Sequence, residues 1–158
     1  MKISNWSSTY AYIFSLASGG TGVTQQIGLW LNHSSHKLAA CGGGTKPTTT
    51  PELSLNTWYH VCLVINGNKK YFYLNGELSD TYTISSPQTG NCLCLGARSN
   101  SSSGAGTAAS LFFNGCINDF RLYDHALSSK EVEKIAQGLV LHYKLNDLNI
   151  ESTTNLVT

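Results

Sequence analysis

Phe113-Asn114-Gly115-Cys116-Ile117-Asn118-Asp119-Phe120-Arg121-Leu122-Tyr123-Asp124-His125-Ala126-Leu127-Ser128 is the stretch that decides the fold of this chain. Apolar and polar residues alternate through its first half, with Ile117, Phe120, Leu122 and Tyr123 as the bulk, which predicts a strand. Asp124-His125 makes a tight corner, Ala126 and Leu127 tuck the chain back, and Ser128 opens a helix. Ser128-Ser129-Lys130-Glu131 has the spacing of a capping box, in which hydroxyl and carboxylate satisfy early helix donors reciprocally. Val132, Ile135 and Ala136 share a face at i, i+3 and i+4, and Gly138 is expected to end the helix.

Upstream, the chain reads as short strands separated by turn residues. Tyr10–Leu16 is rich in strand formers and stops at Ser18-Gly19-Gly20. Ile27–Leu31 and His36–Ala40 follow, and Lys46–Glu52, with Pro47 and Pro51 around three threonines, is expected to be a loop. Asn56–Ile65 is the most convincing strand, apolar on both faces near its end, as in the centre of a sandwich. Asn66-Gly67 and Asn75-Gly76 are hairpin signals that make a three-strand meander with Tyr71–Leu74 and Glu77–Ile84. Cys92-Leu93-Cys94-Leu95 reads as a strand with both thiols on one face, and Leu111-Phe112-Phe113 re-enters a sheet.

Composition narrows the class. The 158 residues suit one domain with a sizeable core. Only 12% are Asp, Glu, Lys or Arg, with a formal net charge of +1, against about 25% charged residues in an average globular protein. Gly, Ser, Thr and Asn fill the difference and favour many turns. No basic run offers a nucleic-acid footprint, and no apolar run reaches membrane-spanning length. Met1-Lys2-Ile3-Ser4 lacks the pattern of a signal peptide. Five cysteines cannot all pair within one chain, and buried reduced thiols are the expectation.

The segment 113–128 resembles the closing strand of laminin-G-like, concanavalin A-like jelly rolls, whose pattern runs F-x-G-x-I-x-D-hydrophobic-R-hydrophobic-Y-x-x-A-L-S. Trp58-x-His60 followed by Tyr73-Leu74-Asn75-Gly76 resembles a second signature of that family. The resemblance implies an all-β antiparallel sandwich with one short C-terminal helix. Leu139, Leu141, Tyr143 and Leu145 alternate strictly, and Leu139–Asp147 resembles the family's first strand. The chain therefore reads as residues 1–137, a module lacking its opening strands, and residues 138–158, the first strand and start of a following module. Leu139–Leu145 is expected to fill the vacancy, within the chain or by swapping with a second copy.

Chemistry follows from the same residues. Glycoside hydrolysis needs two facing carboxylates, and the close acidic pairs Glu77/Asp80, Asp119/Asp124 and Glu131/Glu133 do not resemble a catalytic strand, so no enzyme is expected. Carbohydrate binding needs an aromatic platform beside amides and hydroxyls, for which Trp6, Trp30 and Tyr82 are the candidates, whereas Trp58 is expected in the core. No cofactor is required. Related modules often hold calcium, and Asn118 and Asp119 are the candidate ligands. His60 is expected as a core or interfacial histidine. The expected role is a non-catalytic recognition module for a glycan or cell-surface protein, adjoining similar modules in a phage virion, tail or bacterial surface protein. The alternative is a structural spacer that binds no sugar. A virion or extracellular location goes with either.

Overall fold

The computed structural model describes residues 1–6, 10–17, 27–41, 46–47, 50–84, 92–99 and 109–144. Two sheets face each other. The larger comprises β2 (Ala11–Ala17), β3 (Ile27–Asn32), β4 (Lys37–Cys41), β5 (Lys46–Pro47) and β9 (Cys92–Leu95), in the antiparallel order β5-β4-β3-β2-β9. The smaller is the meander β6 (Val61–Asn66), β7 (Lys69–Leu74) and β8 (Glu77–Thr83). Two short pairs flank them: β1 (Lys2–Ile3) with β12 (Gly115–Cys116), and β10 (Arg98–Ser99) with β11 (Ala109–Ser110). One helix, α1, spans Ser129–Lys144. The chain is an antiparallel β-sandwich, as expected.

Turn chemistry fixes the meander. Gly67, at φ +59°, occupies the first central position between Asn66 and Lys69, and Asn75-Gly76 carries φ of +52° and +87° between Leu74 and Glu77. Positive φ at these positions matches the right-handed strand twist, and Asn and Gly reach it at low cost. Alternation then directs one face of each strand inward. Leu29, Leu31, Leu38 and Ala40 of the large sheet meet Phe72, Leu74 and Tyr82 of the small one, with Ile3 and Ile84 completing a buried cluster. Phe72, Leu29, Leu38 and Ile3 have no exposed surface, and each contributes roughly 1.5–3 kcal/mol through burial. On the far side of the meander, Val64 and Tyr73 pack against Val132 of α1. The capping box is present: the Ser128 N–H and Oγ each donate to Glu131 Oε2 at 2.7 Å.

Four expectations need correction. Lys46–Pro47 pairs with Ala39–Ala40 at a sheet edge instead of staying a loop, a place where proline's missing donor is tolerated. Trp58 is 45% exposed and not in the core. The β6–β7 ladder begins only at Val61, and Trp58 instead bridges Lys2, whose ammonium lies 5.6 Å from its ring centroid. The predicted closing strand keeps its ladder only at Gly115–Cys116, because Asp119 turns to φ +54° and clasps Arg121 locally. Finally, α1 passes through Gly138 to Lys144, so residues 139–144 are helical and not a strand. Residues 132, 136, 139/140 and 143 also satisfy helical spacing, and extending a formed helix is easier than nucleating a new element. Residues 145–158, including Leu145, Asn146 and Asp147, lie outside the described residues.

Candidate functional site

Trp30 occupies the middle of β3, between Leu29 and Leu31, which belong to the core. Its ring therefore lies on the outer face of the large sheet, where Tyr12 and Ala39 are its register partners. Tyr12 stacks near it, with centroids 6.3 Å apart and planes at 26°, and Tyr10 meets it edge-on at 4.4 Å and 66°. Such edge-to-face contacts are a favourable arrangement of ring quadrupoles. Trp30 is consequently only 4% exposed, while Tyr10 is 48% exposed. Leu111 packs against the same cluster, and its carbonyl accepts the Tyr12 N–H at 2.9 Å. Phe112 forms a bridge with Tyr12 and is 64% exposed. Ser110 and Arg98 are register partners across β10 and β11, and β10 lies beside β2. The outcome is a half-exposed tyrosine ring seated on a buried tryptophan.

The other aromatic candidates lie elsewhere. Trp6 is half-buried and stacked on the His36 imidazole at 4.3 Å and 15°, beside a turn in which Asn32 Oδ1 accepts the Ser34 and Ser35 N–H groups. Tyr82 is inside the sandwich, with the fully buried Lys70 ammonium 5.7 Å from its ring centroid. Trp6, Trp30 and Tyr82 thus do not form one platform. Tyr10 and Phe112 were the residues missed. The i, i+2 spacing of Tyr10 and Tyr12 was a usable signal, because it sets both on one side of an extended chain.

Asn118 and Asp119 are both exposed. The two Asp119 oxygens accept from Arg121 Nε at 2.8 Å and Nη2 at 2.7 Å. This hydrogen-bonded pair drives the guanidinium pKa still further above its ordinary value. Among the described residues no group of three His, Cys, Asp or Glu side chains converges as a metal site, and a calcium ion needs six or more oxygens. Asp124 accepts from the His125 Nδ1 and Glu131 caps the helix, whereas Asp119 lines a groove.

That groove, about 290 Å³, is lined by residues of β2, β9 and β6 together with residues 117–123. Its walls include Phe14, Leu16, Leu63, Ile65 and Leu93. His60 also lines it, and burial, reinforced by the charges of the Met1 amine and Arg121, lowers its pKa against the opposing effect of Asp119. Burial pushes the Cys62 thiol up to about 11. No described helix is long and apolar enough to cross a membrane.

With this geometry, the chain belongs to the concanavalin A-like lectin/glucanases superfamily, whose laminin-G model matches residues 1–133. A search of curated protein sequences found no match. Among solved structures it is similar to the heptameric SAP-like pentraxin of Limulus polyphemus, with TM-score 0.66 and 20% identity over 85% of this chain and 66% of that one. It is also similar to a Bacteroides ovatus protein named for carbohydrate binding, with TM-score 0.57 and 18% identity over 85% of this chain and 47% of the other. A Trypanosoma rangeli sialidase in complex with sialic acid aligns with TM-score 0.52 and 16% identity, over 89% of this chain and 22% of the sialidase. The chain therefore spans less than two thirds of each of these proteins, and the likeness is one of fold.

Proposed function

We propose that this chain is a non-catalytic, carbohydrate-binding module of a larger virion or bacterial surface protein, and that sugar lies against Tyr10 on the outer face of the large sheet. The observation that carries this reading is the half-exposed Tyr10 ring propped edge-on by Trp30. A sugar's C–H face packs on such a ring, and a ring already held in place loses little entropy on binding. The named function of the Bacteroides neighbour supports the same ligand class. The absence of catalysis rests on site chemistry: glycoside hydrolysis takes two facing carboxylates, and Asp119, engaged by Arg121, is the lone carboxylate among the residues lining the groove.

Titration with oligosaccharides, followed by tryptophan fluorescence, tests this. Sugar on Tyr10 perturbs Trp30 beneath it, and Tyr10→Ala weakens binding about tenfold or more, equivalent to ~1.4 kcal/mol. Binding that survives Tyr10→Ala unchanged refutes the site. The assembly reading is favoured by a different observation, the apolar groove with Leu93, Leu95 and Leu122 exposed around it.

A further inference from the structure

Tyr10 shares its face of the large sheet with a second accessible ring. Phe112 is largely exposed and forms a parallel bridge with Tyr12, whose N–H donates to the Leu111 carbonyl. Bridge partners direct their side chains to the same side of a sheet, and Tyr12 lies with Trp30 on the outer face. Alternation agrees, since the next residue, Phe113, packs against the interior cluster. Leu111 breaks that alternation. Its φ of +54° lies in the left-handed region, which a bulky side chain enters only where its surroundings hold it, often beside a ligand site. Leu111 thereby packs onto the Tyr12–Trp30 cluster, while Phe112 stays open to solvent.

The aromatic row thus runs from Phe112 through Tyr12 to Trp30, with Tyr10 edge-on at its far end. Its middle is buried and its two ends are accessible. Phe112 lies one strand spacing from Tyr12, and Tyr10 lies two residues from Tyr12 along the chain. Those spacings put the Tyr10 and Phe112 α-carbons about 8 Å apart. Two apolar ring faces at that separation, over a floor of packed aromatics, suit consecutive units of a chain better than one small ring.

We infer that the ligand of this face is a linear oligosaccharide, with one sugar unit against Tyr10 and a further unit of the same chain against Phe112. This second subsite rests on sugar binding at Tyr10. Phenylalanine offers a flat face for sugar C–H groups and no hydrogen-bonding group, so Phe112 adds affinity without selecting among hydroxyl patterns. Both rings have fixed mounts. Tyr10 leans on Trp30, and the Phe112 backbone is held on either side, by the Tyr12–Leu111 bond and by the Phe113 N–H donating to the Gly96 carbonyl at 2.8 Å. A chain engaged at one ring is therefore already placed for the other.

Calorimetric titration of the full chain with linear glucose, N-acetylglucosamine and galactose oligomers, each from monosaccharide to hexasaccharide, tests this. Circular dichroism checks that each variant is folded. Wild-type affinity is expected to rise at least about tenfold from the monosaccharide to the longer oligomers of a series that binds. Phe112→Ala removes that gain and leaves monosaccharide affinity unchanged. Phe112→Trp keeps the gain, whereas Phe112→Leu, apolar but not flat, loses it. Tyr10→Ala weakens binding at every length. An affinity that does not change with length, or a gain that survives Phe112→Ala, overturns the second subsite and leaves sugar binding at Tyr10 standing. Binding that Tyr10→Ala does not weaken, or no binding in any series, overturns both.

Discussion

Gly115→Ala tests the junction on which the closing segment depends. Gly115 pairs with Ile3, which is completely buried, and a methyl group on Gly115 would overlap the Lys2 carbonyl oxygen and lie 2.7 and 2.9 Å from two Phe113 ring carbons. Neither neighbour is a loose side-chain end: one is backbone, and the other packs against the core. Overpacking of this kind costs about 1–3 kcal/mol. Should β1 detach and Ile3 leave the core, a further loss of roughly 1.5–3 kcal/mol follows. A total of about 2.5–6 kcal/mol corresponds to a melting temperature lowered by roughly 5–24 °C in a domain of this size. Urea unfolding followed by tryptophan fluorescence measures it, with Gly138→Ala as the internal contrast. Gly138 lies in the helix with nothing within 4 Å of an added methyl, so that variant gains about 0.5–1 kcal/mol. A Gly115→Ala protein within ~0.5 kcal/mol of wild type, the range of an unremarkable surface change, refutes the reasoning. Destabilisation by Gly138→Ala would show that the helix stops there.

Three other outcomes follow from the groove and its rim. The folded-state pKa of His60 is lowered, chiefly by burial, so the unfolded chain binds more protons and stability falls as pH drops below about 6.5 toward the folded value; His60→Gln flattens the urea-midpoint difference between mildly acidic and neutral pH, and an unchanged slope contradicts the assignment. The half-buried Cys62 thiol, pushed up to about 11 by its burial, resists a thiol reagent at mildly alkaline pH until the protein unfolds, whereas exposed Cys116 reacts at once; mass spectrometry of the alkylated chain distinguishes the two. Because Arg121 occupies both Asp119 oxygens, calcium in the ~10⁻³ M range of weak extracellular sites leaves the melting temperature unchanged, and a rise in wild type that Asp119→Asn removes would establish a calcium site there.

The parts of the fold readable in the sequence are those governed by neighbours along the chain. Asn66-Gly67 and Asn75-Gly76 carry their own turn geometry, and Ser128 with Glu131 carries its own cap, so the meander and the helix start were legible. Elements defined by distant partners were not. Phe120, Leu122 and Tyr123 have the alternation of a strand but join no ladder among the described residues, and all three remain exposed. Trp58 lies just outside its ladder, and the alternation of residues 139–145 competes with an equally valid helical spacing that wins in the single chain. The site divides the same way. Trp30 was recognisable as a large aromatic in a strand, but only the β2–β3 register reveals that Tyr10 covers it and carries the accessible surface.

A glycan array comparing wild type with Tyr10→Ala, each with and without chelator, tests the central claim most directly. The account predicts that wild type binds a defined set of oligosaccharides, that chelator changes nothing, and that Tyr10→Ala loses the signal while remaining folded. Binding that disappears with chelator but persists in Tyr10→Ala would contradict it.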